Sequence, residues 1–319
     1  MKALVYDRYG SIDQLRLADL PVPAPWPGEV LVEVVATSVN LSDWECLRGR
    51  PAYARIGGLW RPKRRVLGSD IAGRIAAVGE GVTRFSVGDE VFGDNLDHKG
   101  GFAEYAVAPE RALTHKPAGL SFAEASTLPQ AGAIALQAVA RGGVGQRMLL
   151  NGAGGGSGMF AIQLAKVAGM HVTGVDNAGK LAFMRDLGAD EVIDYRAQDF
   201  TRTDPYDLVV DLVARRSMFA YRRALAPGGR FYLVGGTLRA LLRALTVGTV
   251  LGRLTGTRLG MLAVQQGPAH FAPLVERCVA GDVQIRIDRM FPLDRAADAL
   301  AFHGDGRALG KVVVRVRDE

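Results

Sequence analysis

Apolar residues along this chain recur in two rhythms, and the change from one to the other falls near residue 121. Before it they come in short alternating runs. Residues 2–6, 14–20 and 29–39 read as strands, and proline-rich 21–28 as an extended connector that cannot be helical. The third run ends at Asn40-Leu41-Ser42-Asp43-Trp44, and residues 48–65, rich in Gly, Pro and Arg, read as a loop. Runs at 67–82, 85–93 and 100–105, broken by glycine turns, complete a compact β region. After residue 121 helices alternate with strands, starting with a helix at 131–140. Residues 206–211 and 229–236 are apolar enough to be buried parallel strands. The chain closes with a strand at 284–290, a helix near 293–303 and a strand at 311–316.

Residues 147–194 organise the rest. A short apolar strand, 147–151, leads into Gly152-Ala153-Gly154-Gly155-Gly156-Ser157-Gly158, then a helix-spaced segment, 159–166, then a second strand that ends at Asp176. Strand, glycine turn, helix, strand and a following acid form the layout of a dinucleotide-binding βαβ unit. Glycines let the backbone turn sharply and approach a pyrophosphate. The helix start offers unpaired N–H groups and a positive dipole end. An acid at the end of the second strand can accept hydrogen bonds from ribose hydroxyls. Gly152, Gly155, Gly156, Ser157, Gly158 and Asp176 are therefore candidate cofactor-binding residues. Residues 174–180 also have the GxxxxGK spacing of a phosphate loop. Leu181 stands where that loop needs Ser or Thr for magnesium, and Asp176 would face the phosphates, so an ATPase is set aside.

The 319 residues suggest about two domains. No signal-peptide apolar region follows Met1, and no window of about twenty residues is free of charge. Cys46 and Cys278 are too few for a disulfide framework or a four-cysteine zinc site, and a reducing cytoplasm fits best. The net charge of +6 is carried mainly by arginine. No aromatics are interleaved with it and no binding motif accompanies it, so a nucleic-acid partner is not expected.

The segments 67–82 and 85–93, followed by the 149–195 unit, resemble the medium-chain dehydrogenase/reductase superfamily over nearly the whole chain. The resemblance implies an α/β protein: a GroES-like β domain at 1–118, a Rossmann domain with a doubly wound parallel sheet at 119–266, and a return at 267–319 that completes the first domain. Zinc alcohol dehydrogenases of the superfamily carry a Cys where this chain has Asn40, a His-Glu pair where it has Ser69-Asp70, and a further Cys near Gln130 or Ala131. None is retained, and the four-cysteine lobe is absent. The chain is instead similar to the zinc-independent quinone oxidoreductase and enone reductase group. It shares that group's Asn-x-x-Asp-Trp, its Asn-Gly-Ala-x-Gly-Gly-x-Gly, and its Val-Ile-Asp-Tyr, here Val192-Ile193-Asp194-Tyr195.

The resemblance implies hydride transfer from a nicotinamide to quinones or to the β-carbon of an enone. One neutral positioned donor is worth ~2.7–4 kcal/mol toward a developing oxyanion. Without zinc, acceptors that already take hydride easily are therefore favoured. Asn40 is the candidate donor to a substrate or ribose oxygen, with Asp43 orienting it. Tyr53 is a weaker candidate proton donor. Asp176 favours NAD(H), whereas Lys180, Tyr195 and Arg196 can bind a 2′-phosphate. Gly179 stands where many relatives carry a Lys, and the balance falls narrowly to NADP(H). Val234 and Gly235 complete the expected cofactor contacts. A dedicated alkene reductase of a biosynthetic pathway and a non-catalytic NADPH-binding protein of the zeta-crystallin type are the alternatives.

One region fits none of this. In 237–264, Leu238, Leu241, Leu242, Leu245 and Thr249 share a helical face, with Arg239 and Arg243 beside them and Arg253 and Arg258 beyond. A lid over an apolar substrate and contact with an anionic membrane are both open, but burial in a subunit interface or the core is favoured. A homodimer is the family expectation, and membrane contact is not expected.

Overall fold

A computed structural model describes residues 1–56 and 58–318. The first strands are β1 (Lys2–Tyr6), β2 (Leu15–Asp19), β3 (Glu29–Ser38), β4 (Asp70–Val78), β5 (Glu90–Asp94), β6 (Tyr105–Pro109) and β7 (Leu113–His115). Then follow β8 (Arg147–Asn151), β9 (His171–Asp176), β10 (Glu191–Asp194), β11 (Tyr206–Asp211), β12 (Leu225–Leu233) and β13 (Arg258–Met261). The chain ends with β14 (Ile287–Pro292) and β15 (Lys311–Arg315). Two compact units result: Met1–Ala133 with Gln266–Glu319, and Ile134–Gln265. The sequence places its divisions at 118 and 266; the units divide inside the helix Pro129–Val139 and at Gln265.

The first unit is built on β3. Its ten residues are buried along nearly their whole length because β4, β6 and β15 all pair with it. Val30, Val32 and Val34 pack with Ile71, Ile75 and Val91 on one face. The seven-stranded sheet runs β14-β15-β3-β4-β5-β7, with β6 on β3. Only β14 and β15 run parallel, joined by the crossover helix Ala296–Gly304, whose Leu300 and Phe302 close a second core over Leu47 and Phe102. The chain end thus returns to the first unit, with Val313 opposite Ser38.

The second unit is a six-stranded sheet in the order β10-β9-β8-β11-β12-β13, every pair parallel. This is the doubly wound order whose switch point lies between the first and fourth strands, here β8 and β11. Leu149, Val175, Val209 and Phe231 fill one core of the unit. Where the third run ends, Asn40 caps the helix Leu41–Arg48. The strand expected at 100–105 begins at Tyr105 instead, because its pairing with β3 sets Val107 opposite Leu31.

Candidate functional site

In the first unit, the start of the helix Leu41–Arg48 gathers a buried polar cluster. Asp43, at the third helical position, accepts the Asn40 backbone N–H at Oδ2 (3.0 Å) and the Gly68 N–H at Oδ1 (3.1 Å). Such a contact satisfies one of the helix's orphan donors. Lys99, in a left-handed conformation, brings its ammonium to Asp43 Oδ1 (3.1 Å) and Ser42 Oγ (3.1 Å). The Asn40 side chain is held from elsewhere. Lys311, the first residue of β15, donates from Nζ to Asn40 Oδ1 at 2.7 Å and lies 3.7 Å from Asp70 Oδ2. Asn40 Nδ2 donates to Ser69 Oγ at 3.2 Å. Asp70 also accepts from Ser38 Oγ at 3.3 Å and from the Gln130 backbone N–H at 3.2 Å.

The electrostatics of this cluster follow from burial. Burial pushes the Asp70 carboxyl above the usual carboxylate range, against the pull of Lys311. It likewise draws the Lys311 ammonium down, with Asp70 opposing. Burial lowers Lys99 too, but Asp43 and its neighbours outweigh it and hold that ammonium above its usual value. Asp94 is pushed up to about 8, by burial first and then by the Asp70 charge. Its Oδ1 has no hydrogen-bond partner. Two ammonium groups face three carboxyls here, so one carboxyl is left without an ammonium of its own. Nearby, Tyr53 donates to Glu45 at 3.2 Å, and burial pushes Glu45 up to about 7.

In the second unit the expected cofactor residues gather at the carboxyl ends of the strands. Gly152 turns the chain out of β8 with φ +88°, a conformation that costs a Cβ-bearing residue energy. Gly155 caps the helix Gly156–Val167, so Gly156, Ser157 and Gly158 supply its first N–H groups. At Gly158 a Cβ would lie 2.4 Å from the Ala153 carbonyl oxygen, so only glycine lets helix and turn approach this closely.

Asp176, ending β9, accepts the Gly154 N–H at 3.1 Å and lies 3.6 Å from Lys180 Nζ. Its other oxygen takes the Asn177 N–H at 2.8 Å. Tyr195 follows β10, its N–H on the Asp176 carbonyl, and Arg196 lies over its ring. Asp176, Lys180, Tyr195 and Arg196 therefore share one corner of the sheet. Val234 and Gly235 follow β12, and the Val234 N–H donates to the Asp211 carbonyl.

Three groups escaped the sequence reading. Asp211, ending β11, accepts from Asn151 Nδ2 (2.9 Å) and from the Val213 and Ala214 N–H groups, tying together the two strands of the switch point. Tyr221 also donates to it, and burial, then the Asp211 charge, pushes that phenol far above its usual range. Asp211 could have been noticed as an acid closing an apolar strand. Lys99 and Lys311 gave no signal, since each meets its partners only through the fold.

Zinc ligands are thiolates, imidazoles or carboxylates in tetrahedral sets. Here a neutral amide, a hydroxyl and one carboxylate face a buried ammonium. Among the described residues no group of three or more His, Cys, Asp or Glu could hold a metal ion.

Residues 26–118 match the alcohol dehydrogenase GroES-like domain, and residues 187–314 match the family described as zinc-binding dehydrogenase. The chain is 32% identical to a chloroplastic quinone oxidoreductase of Triphysaria versicolor, over 98% of each chain. It is also 32% identical to a 2-methylene-furan-3-one reductase of Solanum lycopersicum, over 98% of this chain and 79% of that one. The quinone oxidoreductase structure from Coxiella burnetii superposes with a TM-score of 0.89 at 30% identity, over 99% of both chains. The chain belongs to the medium-chain dehydrogenase/reductase superfamily, within its quinone oxidoreductase and enone reductase group.

Proposed function

We propose that this protein is a zinc-independent, NADP(H)-dependent oxidoreductase that passes hydride to quinones or to the β-carbon of α,β-unsaturated carbonyls. One observation carries the metal-free part of this reading. The Lys311 ammonium bonds to Asn40 and faces Asp70, two of the positions where zinc relatives carry ligands. A dication placed beside that ammonium would meet direct repulsion, so these residues do not fit zinc, whatever the matched family is called.

The nucleotide, when bound, supplies the hydride. The chain's own residues do the rest. Gly156, Ser157 and Gly158 offer N–H groups to the pyrophosphate. Lys180 offsets the charge of Asp176 and, with Tyr195 and Arg196, suits the sheet corner to a 2′-phosphate. Asn40 is the donor to the substrate oxygen, which takes the place of Ser69 as acceptor. Lys311 fixes which end of that amide points away. Asp43, fully buried with both oxygens engaged, positions Asn40 through its backbone and does not meet substrate. Neutral donors of this kind suffice for activated acceptors and fall short for simple ketones.

NADPH oxidation by the purified protein, followed against a panel of benzoquinones, enones, simple ketones and alcohols, tests the reading. Turnover confined to quinones and enones is expected. Brisk oxidation of simple alcohols with quinones and enones untouched would overturn it.

A further inference from the structure

The sequence expectation for 237–264 is burial in a subunit interface or the core, and within the single chain its leucines divide. The helix Leu238–Arg243 continues through a wide π-turn, Ala244–Gly248, into the helix Thr249–Thr255. Leu241, Ala244 and Leu251 face the core of the second unit. Leu238, Leu242, Leu245, Val250 and Leu254 do not: Leu242 is 53% exposed and Leu254 79%. The π-turn closes i→i+5 hydrogen bonds, one residue wider than the α-turns on either side. These five residues, with Val247, are the exposed large apolar side chains of residues 238–255.

Arginine dominates the surroundings, with Asp199 the acid within reach. From Leu212 to Val275 the chain has nine arginines and no lysine, aspartate or glutamate, so the remaining residues carry a net −3 against +6 overall. Arg215, Arg216, Arg239 and Arg243 line an open recess of about 50 Å³ beside this helix. Arg216 lies 3.9 Å from Asp199. Arg215, Arg239 and Arg243 have no ion pair or hydrogen-bonded side chain among the described residues.

We propose that this face docks the protein on an anionic phospholipid surface. The exposed apolar side chains enter the interfacial region and the recess receives a lipid phosphate. An apolar stripe bordered by arginines is the pattern of a helix lying in the plane of a bilayer. Among the described residues no helix is long and apolar enough to cross a membrane, so the contact is peripheral. Charge decides against a second copy as occupant, because a two-fold contact sets a patch against itself. Asp199 is already engaged by Arg216 and Arg223, so Arg215, Arg239 and Arg243 would meet only their own kind. Acceptors dissolved in the bilayer become reachable from such a site, but the docking does not rest on the proposed reaction.

Co-sedimentation of the full chain with vesicles tests it, using phosphatidylcholine alone and phosphatidylcholine mixed with phosphatidylglycerol. Pelleting with the anionic vesicles only is expected, reduced several-fold when salt rises from about 0.1 to about 0.5 M. The triple change Leu242→Ser, Leu245→Ser, Leu254→Ser and the pair Arg239→Glu, Arg243→Glu each abolish pelleting, while turnover of a water-soluble quinone stays unchanged and reports an intact fold. Absence of pelleting with anionic vesicles overturns the proposal. So does light scattering that shows a dimer broken by the triple change without any lipid binding, since a second copy then covers the face.

Discussion

Lys311 Nζ and Asn40 Oδ1 lie 2.7 Å apart across 271 residues of chain. The last strand of the first unit thus holds the residue that the first helix presents. Removing the ammonium leaves the fully buried Asp70 unpaired. Breaking a buried pair from one side costs ~3–5 kcal/mol. Lys311→Met is expected to lower unfolding free energy in urea by that order, and adding Asp70→Asn to recover much of it. Turnover should stay low in the double variant, because Asn40 has lost its anchor. Recovery of turnover together with stability would show that Lys311 serves the fold alone.

Asn40→Ala removes the donor assigned to the substrate oxygen. A fall in kcat of ~10²–10³-fold is expected, the size found for a lost oxyanion donor. NADPH affinity, measured by fluorescence titration, should barely change. A kcat within a few-fold of the parent would assign the oxygen to another group.

Lys180→Met tests cofactor choice. It removes the candidate phosphate partner and leaves the Asp176 charge, 3.6 Å away, without its offset. A charge-assisted hydrogen bond is worth ~1.5–3 kcal/mol, so KM for NADPH should rise about 10- to 100-fold. KM for NADH should move little. Equal losses for the two cofactors would place Lys180 in the fold of the turn and not in phosphate recognition.

Asp94 makes stability depend on pH. Its folded-state pKa is raised from 3.8 to about 8. The native state therefore keeps a proton that the unfolded chain has released, and stability falls as pH rises through that window. Glu45, raised from 4.5 to about 7, acts in the same direction. Asp94→Asn imitates the protonated form, so its melting temperature should fall less than the parent's between these pH values and exceed it at pH 8. Parallel melting curves at every pH would mean that Asp94 is charged throughout.

The nucleotide-binding half was legible because its determinants are local. Gly152 to Gly158, the helix after them and Asp176 lie within one βαβ unit, where spacing alone sets geometry. Asn40 and Asp43 were legible through the resemblance, by Asn-x-x-Asp-Trp, and the fold sets them at the start of one helix. Lys99 and Lys311 were not, since a lysine opening a valine-rich strand looks like a solvated end. Only pairing of β15 with β3 carries Lys311 beneath Asn40. The strand β13 was hidden likewise: four residues, Arg258–Met261, become a strand only where Leu259 meets Phe231. The face read at Leu238, Leu241, Leu242, Leu245 and Thr249 divides within the single chain: Leu241 packs against the core, while Leu238, Leu242 and Leu245 are exposed.

The central claim is hydride transfer without a metal, and turnover after exhaustive dialysis against a chelator tests it most directly. Metal content is measured on the same sample, with NADPH and a benzoquinone as the assay pair. Full activity at far below one zinc per chain is the expected result. Activity that disappears with the metal and returns on adding stoichiometric zinc would contradict it.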